Sequence, residues 1–165
     1  MSSPLHHLDE GSGPVVVLLH AGVADLRMWD HQAAALAADH RVVRCDLHGF
    51  GQTPLTPGEP YSDAEDVVRL LDELGVGEFA LVGASQGGDV ALQVASAVPE
   101  RVTRLVLLCA ALMLPLGPSW ARETAEPGPI HADAATCGSF PSSSNSIVGY
   151  ALVAARFGST QPGRG

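Results

Sequence analysis

Four short apolar runs constrain the fold of this chain more than any other feature: residues 15–19 (VVVLL), 42–45 (VVRC), 79–82 (FALV) and 105–109 (LVLLC). They are nearly continuous rather than alternating, which is what strands covered on both faces require, and a parallel sheet follows. The segments between them carry helical period. In "YSDAEDVVRLLDELG" (61–75), Ala64, Val67, Val68, Leu71 and Leu74 form one apolar face, Ser62 and Glu65 make a capping box, and Gly75 supplies the stop. Residues 29–38 place Trp29, Ala33, Leu36 and Ala37 on one side, and a third helix over 86–98 is closed by Pro99. Alternating strands and helices predict an α/β fold, a doubly wound, mostly parallel sheet, through about residue 110. At 165 residues the chain fits one domain that can bury a real core.

Beyond residue 115 the character changes. Residues 116–165 hold seven glycines, five prolines and seven serines, and Leu152 is the only leucine after Leu116. That is the composition of a linker or an irregular tail. The charge changes too: residues 1–115 carry 15 acids against 6 arginines, and the last 50 residues carry three of each. The chain therefore divides into a sheet-forming part, 1–115, and a Gly/Pro/Ser-rich part, 116–165, which reads as GC-rich DNA translated out of frame or as a partial cap. One apolar island, 147–157, has the pattern of a short helix or of a strand. On this reading the sheet is truncated after the strand ending near Cys109.

Composition narrows the function classes. The formal charge is −9, and all nine basic residues are arginine. A phosphate backbone is repelled by such a balance, so nucleic acid is not an expected partner. Cys45, Cys109 and Cys137 form neither a CxxC nor a metal-ligand spacing, and they suit a reducing compartment, so no metal is expected. The N-terminus has no basic segment followed by an apolar one, and the longest apolar stretch, 105–116, is short of a membrane span. The expectation is a cytoplasmic protein without a membrane partner.

Chemistry enters at "LVGASQGGDV" (81–90). Gly83-Ala84-Ser85-Gln86-Gly87 is a complete G-x-S-x-G, with a strand before it and a helix after it. A serine on so sharp a turn needs small neighbours, and Gly83, Ala84 and Gly87 comply; the competing reading is a serine that merely caps a helix. A serine attacking a carbonyl produces an oxyanion, which needs two preorganised N–H donors. The residue after the serine, Gln86, offers one. The loop after the first buried strand, "LLHAGVADLRMWD", offers the other at Gly22, with Val23 as the alternative, while His20 reads as a residue that orients this loop. A further turn, "DLHGFGQTP" (46–54), carries Asp46, Gly49 and Gly51.

In this order, the three motifs resemble the α/β-hydrolase superfamily, specifically its small bacterial esterase, enol-lactonase and cofactor-free haloperoxidase-like branch. The resemblance covers roughly residues 5–112; Ala21 stands where a glycine is commoner. It implies a serine hydrolase in which Ser85 attacks a small carboxylic ester or lactone, a histidine takes the proton and an acid orients that histidine, with no cofactor. A serine at this turn argues against the dehalogenases of the same fold, which place a carboxylate there. The family order is nucleophile, acid, histidine. After Ser85 the only histidine is His131, in "GPIHADAAT", and the carboxylates beyond the last clear strand are Glu123, Glu126 and Asp133. Asp133 follows His131, so only Glu123 or Glu126 keeps the order. His131 is the candidate base, its alternative being an exposed loop histidine.

Two other classes compete. A dinucleotide-binding protein would carry G-x-G-x-x-G after its first strand, which is not formed here, and a short-chain reductase would need a lysine, which the chain lacks. A catalytically inactive homologue is the other alternative, because a sheet ending at residues 105–109 exposes an unpaired edge. The oligomeric state is not legible.

Overall fold

A computed structural model describes residues 4–58, 60–108, 132–133 and 153–156, the last two segments by their backbone alone. Strand β1 (His7–Gly11) is followed by β2 (Val15–Leu19), a 3-10 turn (Leu26–Trp29) and α1 (Asp30–Leu36). Then come β3 (Arg41–Cys45), α2 (Asp63–Glu73), β4 (Phe79–Ala84), α3 (Gln86–Ala97), a second 3-10 turn (Pro99–Arg101) and β5 (Val102–Leu108). Two short strands, β6 (Ala132–Asp133) and β7 (Val153–Arg156), complete the described elements.

The sheet order is β1-β3-β2-β4-β5-β7-β6, and β3, β2, β4 and β5 are mutually parallel. The α/β, mostly parallel sheet expected from the apolar runs is present. Continuous apolar character is explained by the two faces. Val17, Leu19, Val43, Leu81 and Leu107 join one core with Val67, Leu71, Val90 and Val94 of α2 and α3. Val16, Leu18 and Val42 join another with Trp29 and Ala33 from the other side. Every residue of β2 after the first is buried, as a strand with two covered faces demands.

Helix signals act where they were read. Ser62 Oγ accepts the Glu65 N–H at 3.3 Å, and Gly75 leaves α2 at φ +66°. Pro99 ends α3 and opens the following 3-10 turn. Of the helix expected over 29–38, α1 covers 30–36, and Trp29 instead ends the 3-10 turn, which Asp25 caps by accepting from Arg27 N–H.

Two departures have local causes. β1 pairs antiparallel with β3 at the edge of the sheet, and four of its five residues are exposed, so it carries no apolar pattern. β5 starts at Val102, three residues before the apolar run. A register shift sets Phe79 opposite Val102 and Ala80 opposite Arg104, so Thr103 is the extra residue of a bulge, and Thr103 and Arg104 interrupt the hydrophobic signal.

β5 is the last of the parallel strands, and its outer edge pairs antiparallel with β7, Leu107 opposite Val153 and Arg104 opposite Arg156. Of the island 147–157, four residues are thus strand. Apart from 132–133 and 153–156, residues 109–165, with Cys109, Cys137, Glu123, Glu126 and His131, lie outside the described residues. Among the described residues, no helix is long and apolar enough to cross a membrane, and no group of three His, Cys, Asp or Glu side chains could hold a metal ion.

Candidate active site

The strand order reverses at β2. From β2 the chain moves outward to β3, then returns across to β4 and β5. Open α/β sheets hold their ligands in the crevice outside the carboxyl ends of the strands at such a reversal. Leu19 at the end of β2 stands opposite Gly83 near the end of β4, so the loop 20–24 and the turn at Ser85 leave the sheet side by side.

The turn at Ser85 is built by close backbone approach. A Cβ on Gly83 would stand 2.2 Å from the Gly87 carbonyl oxygen and 2.7 Å from Gly88 Cα. A Cβ on Gly87 would stand 2.5 Å from the carbonyl oxygens of both Leu19 and His20. Only glycine lets the start of α3 press on β2 and β4 so tightly. Ser85 itself has φ +49° and ψ −115°, and it is the only non-glycine residue with positive φ among the described residues. Its N–H is pinned to the Leu108 carbonyl at 2.8 Å, and its own carbonyl accepts from Gly88 N–H at 2.8 Å. Ser85 stands at the N-cap of α3, and its side chain makes no capping bond to the helix. Its side chain is half-buried and has no hydrogen-bond partner among the described residues.

Across the crevice, residues 21–24 form a tight turn closed by Ala24 N–H to the Ala21 carbonyl at 3.0 Å. Gly22 sits second in this turn, next to the Gln86 side chain, and Val23 is 97% exposed, so it is Gly22 that lies against the start of α3. Ala21 N–H points instead to Met28 Sδ at 3.3 Å. Gln86 opens α3, where backbone N–H groups have no intrahelical acceptor and the helix dipole favours negative charge.

His20 is fully buried, and both ring nitrogens are used: Nδ1 donates to the Ala21 carbonyl at 2.8 Å, and Nε2 accepts from Leu47 N–H at 2.9 Å. It therefore ties the loop after β2 to the loop after β3 and has no free nitrogen for a proton from Ser85. Asp46 works alongside it. Its Oδ1 accepts from Leu26 N–H at 2.8 Å and its Oδ2 from Gln52 N–H at 2.9 Å. Gly49 and Gly51 turn the chain at φ +81° and +52°, and a Cβ on Gly51 would fall 2.0 Å from Asp46 Oδ2. Cys45, beside Asp46, is wholly buried, and desolvation, aided by Asp46 and Asp63, pushes its thiol up to about 12.

Several supporting groups escaped the sequence reading. Thr53 Oγ1 donates to the Asp46 carbonyl at 2.8 Å and accepts from His6 N–H at 2.9 Å. Asp63, the first residue of α2, receives both the backbone N–H of His48 at 3.0 Å and its Nδ1 at 2.8 Å, and Asp66 Oδ2 lies 3.4 Å from His48 Nε2. The turn "GFGQTP" and an acidic first helical turn were visible signals, but which partners they meet depends on the fold. Of Asp133 only the backbone is described, in β6.

Comparison with known proteins agrees with this architecture. A family profile described as alpha/beta hydrolase fold matches residues 14–133. The dihydrolipoyllysine-residue acetyltransferase component of the acetoin cleaving system of Pseudomonas putida is 40% identical over 104 residues, covering 62% of this chain and 28% of that protein. The pimeloyl-[acyl-carrier protein] methyl ester esterase of Aeromonas hydrophila is 40% identical over 99 residues, covering 58% of this chain and 37% of the esterase. Among solved structures, Est816, described as an N-acyl homoserine lactone degrading enzyme, superposes with a TM-score of 0.61 at 31% identity, over 64% of this chain and 42% of its own. The chain thus spans well under two thirds of the length of these relatives.

Proposed function

Because this chain belongs to the alpha/beta hydrolase family, we propose that it is a serine hydrolase acting on small carboxylic esters or lactones through an acyl-enzyme on Ser85. The observation that carries this reading is the positive-φ conformation of Ser85 together with a hydroxyl that has no hydrogen-bond partner among the described residues. Backbone strain of this kind persists only where the surroundings over-determine it, as at reactive sites. Ser85 Oγ attacks the substrate carbonyl carbon and loses its proton to a base. The carbonyl oxygen gains the negative charge, held by the N–H groups of Gly22 and Gln86. Collapse of this adduct expels the alcohol, and attack by water then releases the acid and restores Ser85. An ester-cleaving relative at 40% identity and a lactone-degrading one at 31% support the substrate class.

For the base, His131 is the only histidine after Ser85 in the sequence, with Glu123 or Glu126 as the acid in family order. His20 and His48, the buried histidines nearest the strand ends, are held by other partners. If His131 does not serve as the base, turnover is expected to be weak, since losing the histidine of a complete triad costs roughly a million-fold. No cofactor is called for.

The test is to incubate the protein with an alkyl fluorophosphonate and map the adduct by peptide mass, alongside turnover of p-nitrophenyl acetate and a γ-lactone. The adduct is expected on Ser85, and Ser85→Ala is expected to abolish both adduct and turnover. Turnover that survives Ser85→Ala overturns the assignment. A folded protein that is neither labelled nor active leaves the other reading, a homologue without catalysis.

A further inference from the structure

We propose that Gln86 is a positioning residue: its side chain, seated over the Cα of Gly22, sets the spacing between its own backbone N–H and that of Gly22. This inference rests on the reading of those two N–H groups as the pair that receives the oxyanion.

Gly22 is not among the glycines with positive φ, so its backbone does not demand glycine. What a side chain there would meet is the side chain of Gln86. A Cβ there would stand 2.2 Å from Gln86 Oε1, 3.3 Å from Cδ and 3.4 Å from Cβ, and these are the three nearest atoms. The space a side chain would take on one loop is therefore filled by a side chain from the other. Both ends of the contact are anchored. Gln86 begins α3, fixed through Gly87 against the carbonyls of Leu19 and His20, and Gly22 lies in the turn closed by Ala24 N–H to Ala21. The Gln86 side chain bridges two loops that the sequence holds more than sixty positions apart. A change in its length must move the turn carrying Gly22, or leave that turn without its support. An oxyanion site depends on such spacing, because misplacement by about 1 Å can cost on the order of 100-fold in rate.

The geometry makes a reciprocal prediction. With Gln86 cut back to alanine, the atoms at 2.2 and 3.3 Å are gone, and the nearest remaining atom to an alanine methyl at position 22 is Cβ of residue 86, at 3.4 Å, an ordinary contact. Gly22→Ala and Gln86→Ala should each impair the site, and the pair should compensate. The experiment is a double-mutant cycle on the full chain with three readouts: Tm, the amide resonance of residue 22, and the rate of fluorophosphonate labelling of Ser85. Gly22→Ala alone is expected to push the Gln86 tip aside and lower Tm by about 2 °C. It should also slow labelling by roughly 10- to 100-fold. Gln86→Ala, which keeps its own N–H, is expected to shift the Gly22 amide resonance and slow labelling by about 10-fold. The double variant should recover most of the Tm and most of the labelling rate.

Equal damage from Gly22→Ala with and without the Gln86→Ala change overturns the contact. An unmoved Gly22 amide in Gln86→Ala overturns the positioning role. If the unmodified chain is not labelled at all, the Tm cycle and the amide resonance still decide this proposal, and the catalytic reading of Ser85 falls by itself.

Discussion

The loop after β3 and the turn after β4 leave the same end of the sheet and are held in opposite ways. After β3, polar side chains bond one another and the backbone: Asp46 accepts two N–H groups, Thr53 closes onto the Asp46 carbonyl, and Asp63 accepts from His48 Nδ1. After β4, holding is done by backbone against backbone at Gly83 and Gly87, and Ser85, in a sparsely populated conformation, has no side-chain partner among the described residues. Buried polar groups that bond one another and the backbone in this way are scaffolding. A half-buried hydroxyl held in strain by tight packing around it is where chemistry can act.

This contrast breaks first at Gly83. Gly83→Ala drives a methyl into the Gly87 carbonyl and Gly88 Cα, both backbone atoms that cannot swing aside. A loss of about 4 kcal/mol is expected in denaturant unfolding, at the severe end for a single substitution. A loss below about 1 kcal/mol would mean that the turn relaxes easily and is not held by backbone contact. The polar loop should respond next. Asp46→Ala strips the acceptor from Leu26 N–H and Gln52 N–H together, and about 3 kcal/mol is the expected cost in the same measurement.

Cys45 provides a reporter between the two regions. Thiols react as thiolates, and a thiol pushed up to about 12 is protonated at pH 8. Native protein treated with iodoacetamide at that pH should leave Cys45 unmodified in peptide mapping, while urea-unfolded protein should be modified fully. Asp46→Ala should speed the native reaction, because its side chain holds the loop that follows Cys45. Changes at Ser85 should leave Cys45 protected. Reaction of Cys45 in every variant at one rate would show that the loop after β3 does not depend on Asp46.

What could be read from the sequence follows the same division. Parallel strands announced themselves because burial on two faces leaves no polar residues in 15–19 or 79–82, and the turn at Ser85 announced itself because steric crowding forces small residues around one serine. β1 was silent, since an exposed edge strand selects for charge, as in Asp9 and Glu10, rather than for an apolar pattern. The partners of His20 and His48 were silent for another reason: a histidine's sequence neighbours do not reveal that Leu47 N–H or Asp63 will meet its ring. The pairing of Gly22 with Gln86 was half legible. Both residues stood out as N–H donors, but the side-chain contact between them arises only when β2 and β4 are neighbours.

The smallest effect separates strain from chemistry at Ser85. Glycine adopts φ +49° and ψ −115° without a Cβ to collide, whereas alanine keeps the Cβ and with it the strain. Relief of a strained non-glycine residue is worth about 1–3 kcal/mol, against which glycine gives the unfolded chain extra freedom worth about 0.4–1 kcal/mol. Ser85→Gly is therefore expected to stabilise the fold by about 1 kcal/mol, and Ser85→Ala to leave it within about 0.5 kcal/mol, with both losing the hydroxyl. Denaturant unfolding of the two variants beside the unmodified chain measures the difference directly. A glycine variant no more stable than the alanine variant would mean that the turn after β4 holds Ser85 without strain, and the contrast with the loop after β3 would then lie in hydrogen bonding alone.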